Sequence, residues 1–306
     1  MPIKIIEGLP VREKLREERI FTIEESRAHT QDIRPLRILI LNLMPLKQAT
    51  ERQFLRLLGN SPIQIDVDFL YTASYESSNT PTSYLQEYYQ SFDQVKEQFY
   101  DGLLVTGAPV EKMPFEDVDY YQELRDIMTW AQTHVFNRYF VCWGAQFALN
   151  YYYGIEKELL DEKLFGVYPY RTLNFEHPYV RGFDDVFHVP HSRHTRMNAE
   201  QILQVEGLEV LTGHEVFGPD LMVSQDGRDV FIFGHLEYDR ETLSLEYHRD
   251  LHRGDRIALP ENYFPDDDVN RLPVFNWRSH GHLLMHNWIN ETYQETPYNL
   301  EELLSW

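Results

Sequence analysis

Three apolar runs limit what this 306-residue chain can fold into. Leu36-Arg-Ile-Leu-Ile-Leu-Asn-Leu43, Gly102-Leu-Leu-Val-Thr106 and Tyr139-Phe-Val-Cys142 have the aliphatic composition of strands buried on both faces. Helical periodicity separates them. Phe54, Leu55, Leu57 and Leu58 mark one face between Lys47 and Leu58, ended by Gly59; Leu124, Ile127, Met128 and Ala131 mark another between Tyr120 and His134. Ile63-Gln-Ile-Asp-Val-Asp-Phe-Leu70 alternates as a further strand. Strands that take turns with helices predict an α/β fold: three layers around a mostly parallel sheet, with functional groups at the carboxyl ends of the strands.

The second half reads differently. Asp226-Gly227 between Leu221-Met-Val-Ser224 and Asp229-Val-Phe-Ile-Phe-Gly234 predicts an added β-hairpin. Asp239 to Leu251 and Leu283 to Asn290 read as helices, and Pro260 to Asp268 as a loop. Residues 1–34 are polar and charge-rich, with Arg12-Glu-Lys-Leu-Arg-Glu-Glu-Arg19 as a short helix. They are expected to form an N-terminal arm, and residues 35–306 a single catalytic domain.

Composition narrows the function. One cysteine permits no intrachain disulfide and suits a reducing compartment. The first ten residues carry charges and prolines where a signal peptide needs an apolar stretch, and no apolar run approaches the roughly 20 residues of a membrane span. A cytoplasmic protein that does not engage membranes is therefore expected. The net charge of -21 argues against nucleic-acid binding, which needs clustered Lys and Arg. A small anionic ligand held by a local basic cluster stays compatible with it.

The lone cysteine, Cys142, ends the strand Tyr139–Cys142 and is followed by Trp143-Gly-Ala-Gln-Phe147. A strand, a sharp turn and a helix hold a nucleophile at the top of an α/β sheet, where the helix N-terminus favours thiolate. A thiol of reference pKa about 8.5 needs a base. Phe233-Gly-His-Leu-Glu-Tyr238 offers His235 as that base. If the hairpin strand stays extended past Phe233, Glu237 lies on the same side and can orient the ring. The alternative for each residue is an ordinary core role. His188, His191 and His194 recur every three residues and His282 and His286 every four, spacings that can bind zinc. Pro190 breaks the first set, no second cysteine exists and no His-Glu-x-x-His motif occurs, so no metal is expected. Tyr151 to Tyr153 are read as packing residues.

Cys142-Trp-Gly-Ala-Gln146 and His235-Leu-Glu237 resemble the Cys-x-Gly-x-Gln and His-x-Glu elements of class I glutamine amidotransferases. The opening Met-Pro-Ile, Leu41-Asn-Leu-Met-Pro-Leu-Lys47, Thr106-Gly-Ala-Pro-Val-Glu111, Pro190-His-Ser-Arg193 and Asn276-Trp-Arg-Ser-His-Gly281 resemble a relative of that fold, the homoserine O-acyltransferase family, across essentially the whole chain. The resemblance implies a class I glutamine amidotransferase-like (flavodoxin-like) sheet, a homodimer, and acyl transfer from an acyl-coenzyme A to L-homoserine in methionine biosynthesis. Acyl-CoA is then a co-substrate and no cofactor is needed. Phe140 stands where amidotransferases usually carry glycine, and no synthetase domain is visible to receive ammonia. Both favour acyl transfer over an amidase.

By the same resemblance Cys142 carries the acyl group, His235 is the general base and Glu237 its orienting acid, with Lys163, Ser192 and Arg249 in the substrate site. A guanidinium fork suits the homoserine carboxylate. The position of Glu111 is glycine in the family's succinyl-CoA users and glutamate in its acetyl-CoA users, so acetyl-CoA is the expected donor and succinyl-CoA the alternative. For the oxyanion, the N–H of Trp143 and one from Gly107-Ala108 are expected donors, with Lys47 nearby.

Overall fold

The computed structural model describes residues 3–5, 22–24, 35–59, 61–75 and 79–305. Strands β1 (Ile3–Ile5) and β2 (Thr22–Glu24) pair in parallel. The helix expected at Arg12–Arg19 lies outside the described residues. β3 (Leu36–Leu41), α1 (Lys47–Leu58) and β4 (Ile65–Leu70) open the body, and α2 (Thr82–Tyr88), α3 (Phe92–Val95) and β5 (Tyr100–Val105) follow. Then come α4 (Tyr121–His134), β6 (Val135–Val141) and α5 (Trp143–Tyr153). β7 (Lys157–Thr172), β8 (Val186–Met197) and α6 (Ala199–Gln204) precede four short strands: β9 (Leu208–Val210), β10 (Thr212–His214), β11 (Gly218–Pro219) and β12 (Leu221–Ser224). β13 (Asp229–Ile232), α7 (Thr242–Arg253) and α8 (Arg278–Glu295) follow, and a short 3-10 helix over Leu300–Ser305 comes last among the described residues.

A seven-stranded sheet runs β4-β3-β5-β6-β13-β12-β9. Its first five strands are mutually parallel, and β12 and β9 add in antiparallel fashion. The apolar runs of the sequence are its central strands, and β5 and β6 are buried along their whole length. Alternate residues feed two cores. Leu39, Leu103, Phe140 and Phe231 face Leu124, Ile127 and Met128 of α4 and Phe147 of α5. Ile38, Leu104, Tyr139 and Val230 face Phe54 of α1, Leu284 and Trp288 of α8 and the second sheet. The expected three layers are present.

The hairpin forms as read, with Met222 opposite Phe231 and Gly227 at φ 73°. It is no appendage, because β13 lies beside β6 in the main sheet. α8 starts five residues before its predicted start at Leu283 and ends five after the predicted Asn290. His280 and Asn287 occupy buried positions on it, and these polar residues conceal the apolar stripe. The second sheet, β11-β10-β7-β8, had no counterpart in the sequence reading. β7 begins with the charged Lys157-Glu-Leu-Leu-Asp-Glu-Lys163, partly exposed, and becomes buried only from Leu164.

α5 packs tightly on β5. A Cβ at Gly144 would lie 2.6 Å from the Thr106 carbonyl oxygen and 3.0 Å from that of Val105. Backbone cannot yield as a side-chain tip can. Gly144→Ala is therefore expected to cost about 1–3 kcal/mol. Denaturant unfolding checks this, and an unchanged midpoint would mean that α5 has room to shift.

Candidate active site

The site is built at the carboxyl ends of four adjacent parallel strands. Met44 and Pro45 follow β3, Gly107 and Ala108 follow β5, Cys142 follows β6 and His235 follows β13. Cys142 occupies the turn between β6 and α5 at φ 50°, ψ -115°. Such backbone at a residue other than glycine costs of order 1–3 kcal/mol and persists only where its surroundings fix it. Here its N–H donates to the Ile232 carbonyl at 2.8 Å, and its carbonyl accepts from the Gln146 N–H at 3.0 Å. Cys142 is 7 % exposed. The turn at Gly107 packs closely on it, since a Cβ there would stand 3.3 Å from Cys142 Cβ. Trp143 is the first residue of α5, where N–H groups lack intrahelical partners.

His235 and Glu237 pair, with Nδ1 and Oε1 2.7 Å apart, both buried. An extended strand, the expected cause, does not produce that pairing. β13 ends at Ile232, and residues 235–238 form a turn closed by Tyr238 N–H donating to the His235 carbonyl. The turn arises because the backbone is claimed from the side: Gly234 N–H donates to buried Asp220 and His235 N–H to the Pro190 carbonyl. Arg56 donates to the Glu237 carbonyl, and the Tyr238 ring stacks on the imidazole at 4.1 Å. Burial favours a neutral ring, but the Cys142 sulfur and the Glu237 carboxylate outweigh it and hold the His235 pKa well above its ordinary value. The ring is thus held as a protonated imidazolium between the sulfur and the carboxylate.

Cys142 and His235 line a cavity of about 340 Å³ that also takes in Glu111, Lys163, Ser192 and Arg249. The structure therefore brings together the expected catalytic, substrate and specificity positions. Glu111 is anchored by the His194 N–H at 2.8 Å, and burial raises its carboxyl pKa. Ser192 donates to Glu246 at 2.5 Å, and Tyr238 donates to the same carboxylate at 3.2 Å. Lys163 Nζ stands 3.7 Å from Glu246 and 3.6 Å from Asp250. Arg249 pairs with Asp250 through Nε. His194, its pKa pushed down to about 4 chiefly by burial, is neutral at physiological pH.

Two readings change. Glu246 lines the cavity and joins Ser192, Lys163 and Tyr238, yet it had no place in the sequence reading. Its signal was the spacing from Arg249: three residues apart on a helix share a face. Lys47 is not among the cavity-lining residues. Its ammonium donates to the carbonyls of Asn42 and Met44, and burial lowers its pKa to about 8. It thereby braces the backbone that leads into the Met44–Pro45 wall. Ala108 does line the cavity.

His188, His191 and His194 fall on β8, where a spacing of three alternates faces. His282 and His286 have ring centroids 6.5 Å apart. Among the described residues no group of three or more His, Cys, Asp or Glu could hold a metal ion. No described helix is long and apolar enough to cross a membrane.

Comparison with known proteins bears on the same chemistry. Residues 2–298 match the family homoserine O-succinyltransferase. The chain belongs to that family. A homoserine O-acetyltransferase of Desulfitobacterium hafniense is 51 % identical over 304 residues, covering 99 % of each chain. One from Acetivibrio thermocellus is 50 % identical over 99 % of this chain and 100 % of its own. One from Bacteroides fragilis is 48 % identical over the same shares. Among solved structures, a glutamine amidotransferase from Thermotoga maritima superposes with TM-score 0.57 at 13 % identity, covering 86 % of this chain and 100 % of its own. Another from Methylobacillus flagellatus gives 0.53 at 13 %, covering 85 % and 95 %. At that identity the likeness shows the fold, and it is the class I glutamine amidotransferase-like sheet expected from the family.

The geometry makes Glu237 responsible for part of the imidazole's proton affinity. In Glu237→Gln the His235 ring is expected to titrate at lower pH, followed by NMR of the ring carbon, and turnover to fall about 10²–10⁴-fold. A ring that titrates unchanged would remove Glu237 from this role.

Proposed function

We propose that the chain transfers an acetyl group from acetyl-CoA to the hydroxyl of L-homoserine, giving O-acetyl-L-homoserine for methionine biosynthesis. The observation that carries this reading is that the Cys142–His235–Glu237 array opens into one small cavity walled by the Glu111 carboxylate. The names of the full-length relatives at about half identity agree with it.

Protons balance through two half-reactions. The Cys142 thiolate attacks the thioester carbonyl, and the tetrahedral oxyanion takes hydrogen bonds from the Trp143 N–H and the Gly107–Ala108 turn. As the C–S bond to coenzyme A breaks, the His235 imidazolium gives its proton to the departing sulfur. Cys142 now carries an uncharged thioester, so the largest influence that raised the His235 pKa is gone. The neutral ring then accepts the homoserine hydroxyl proton as the oxygen attacks, and collapse restores thiolate and imidazolium. The first step exchanges one thioester for another; the second forms a more stable oxygen ester and draws the sequence forward.

Substrate charges find complements in the same wall. Arg249, its side chain 47 % exposed, offers its fork to the homoserine carboxylate, and Glu246 offers a carboxylate to the ammonium. Glu111, fixed by the His194 N–H, fills the space beyond the acyl methyl and repels a second carboxylate such as that of succinyl.

Two measurements test this. Intact-mass analysis after mixing with acetyl-CoA alone should show one acetyl group on Cys142, absent from Cys142→Ala; an unmodified wild type under turnover conditions would refute the covalent route. Glu111→Gly should raise the kcat/KM ratio of succinyl-CoA to acetyl-CoA at least about tenfold, and an unchanged ratio would remove Glu111 from donor choice. Ammonia release from glutamine without acyl transfer would support an amidase instead.

A further inference from the structure

An acyl-CoA is far larger than homoserine, and the 340 Å³ cavity holds only its reacting end. A second cavity of about 810 Å³ adjoins the first and shares five lining residues with it: Lys112, Lys163, His194, Asp250 and Asp255. Its walls are two stretches of backbone. One is the start of β7. Pairing with β8 skips from Leu159–Thr195 to Leu164–Arg193, so residues 160–163 of β7 stand opposite His194 alone. Such a bulge leaves backbone N–H and C=O groups outside the ladder.

The other wall is a strap over residues 255–261. The Asp255 N–H donates to the Asp250 carbonyl just after α7. At its far end Glu261 N–H donates to the Phe165 carbonyl at 2.9 Å, and Val167 N–H to the Glu261 carbonyl at 2.9 Å. The strap is thus fastened to β7 as one bridge of a parallel strand, and Ile257, Ala258 and Leu259 face the cavity between its two ends.

The lining selects its occupant. Phe165, Ile257, Ala258 and Leu259 are apolar, while Asp161, Glu162, Asp250, Asp255 and Glu261 outnumber the cations Lys112, Lys163 and Arg256. Lys163 is already placed between Glu246 and Asp250, so the groove carries a net negative field that repels phosphates. An uncharged chain with amide groups and a branched hydrocarbon segment meets no such penalty, and its amides match the unladdered backbone of the bulge.

We propose that this groove holds the pantetheine arm of the acyl-CoA donor, with the phosphorylated nucleotide end outside it. This assignment rests on the acetyl-CoA reading above.

Ala258→Trp, which fills the groove at an exposed strap position, tests it against three donors: acetyl-CoA, S-acetylpantetheine and S-acetyl-N-acetylcysteamine, which lacks most of the arm. The variant should raise KM for the first two about tenfold or more. Its kcat/KM for the short thioester and its KM for homoserine should stay within about twofold of wild type. Unchanged KM for acetyl-CoA would overturn the assignment. So would an equal loss with all three donors, since the groove would then serve the chemistry and not the arm. If the wild type transfers acetyl to homoserine from none of them, the acetyltransferase reading itself falls and takes the groove assignment with it.

Discussion

The parallel pairing of β6 with β13 is the constraint on which the site depends. Arg138 and Asp229 sit opposite each other at its start and form a buried two-point ion pair. Removing one member of such a pair leaves a buried charge uncompensated, so the pair fixes which residues lie side by side. Three residues further on, Val141 meets Ile232. The next N–H, that of Cys142, is satisfied by the Ile232 carbonyl while the chain turns sharply. Cys142 and the segment that carries His235 therefore leave the sheet as neighbours, in a register set about ten ångströms away at roughly 3.3 Å per residue.

Strain and charge are both concentrated at that exit. Cys142 keeps a positive φ because the Ile232 carbonyl, the Gln146 N–H and the closely packed Gly107 turn leave it little freedom. The His235 turn is held from the opposite side by Asp220 and Pro190. Burial raises the Asp220 pKa to about 6, against the stabilising pull of Arg193 and the Gly234 N–H. A buried acid maintained in that way is a cost the fold bears beside the His235 turn. These bonds fix the backbone that carries the His235 ring beside the sulfur.

These relations explain what could be read from the chain alone. The central strands were legible because a strand buried on both faces is a continuous apolar run, and Cys142 stood out at the end of one. His235 and Glu237 were correctly paired for a reason that does not hold, since side-chain alternation and a tight turn can both bring residues i and i+2 together. β7 was not legible. Its first half is charged because it borders a groove and pairs irregularly, so neither an apolar run nor clean alternation appears. Glu246 was missed because a carboxylate on an amphipathic helix looks solvated until Ser192 and Tyr238 are seen to reach it. The chain-wide charge of -21 likewise says nothing of Arg249 and Lys163 in the cavity wall.

Glu111 ties the two sheets together at the cavity. It belongs to the loop after β5, in the sheet that carries Cys142, but its carboxylate is held by the backbone N–H of His194 on β8. The Thr195 hydroxyl stands 3.5 Å from the same oxygen and 2.9 Å from the Gln146 side-chain oxygen on α5. A partly buried N–H deprived of its acceptor carries a cost. Without the Glu111 side chain, the His194 N–H would need another acceptor, and the far carboxylate of a succinyl group would bring one to the same wall. Under the acetyl-transfer proposal, donor choice at this site comes down to which partner supplies the carboxylate: the enzyme, leaving room for acetyl, or the substrate, filling the room the enzyme has vacated.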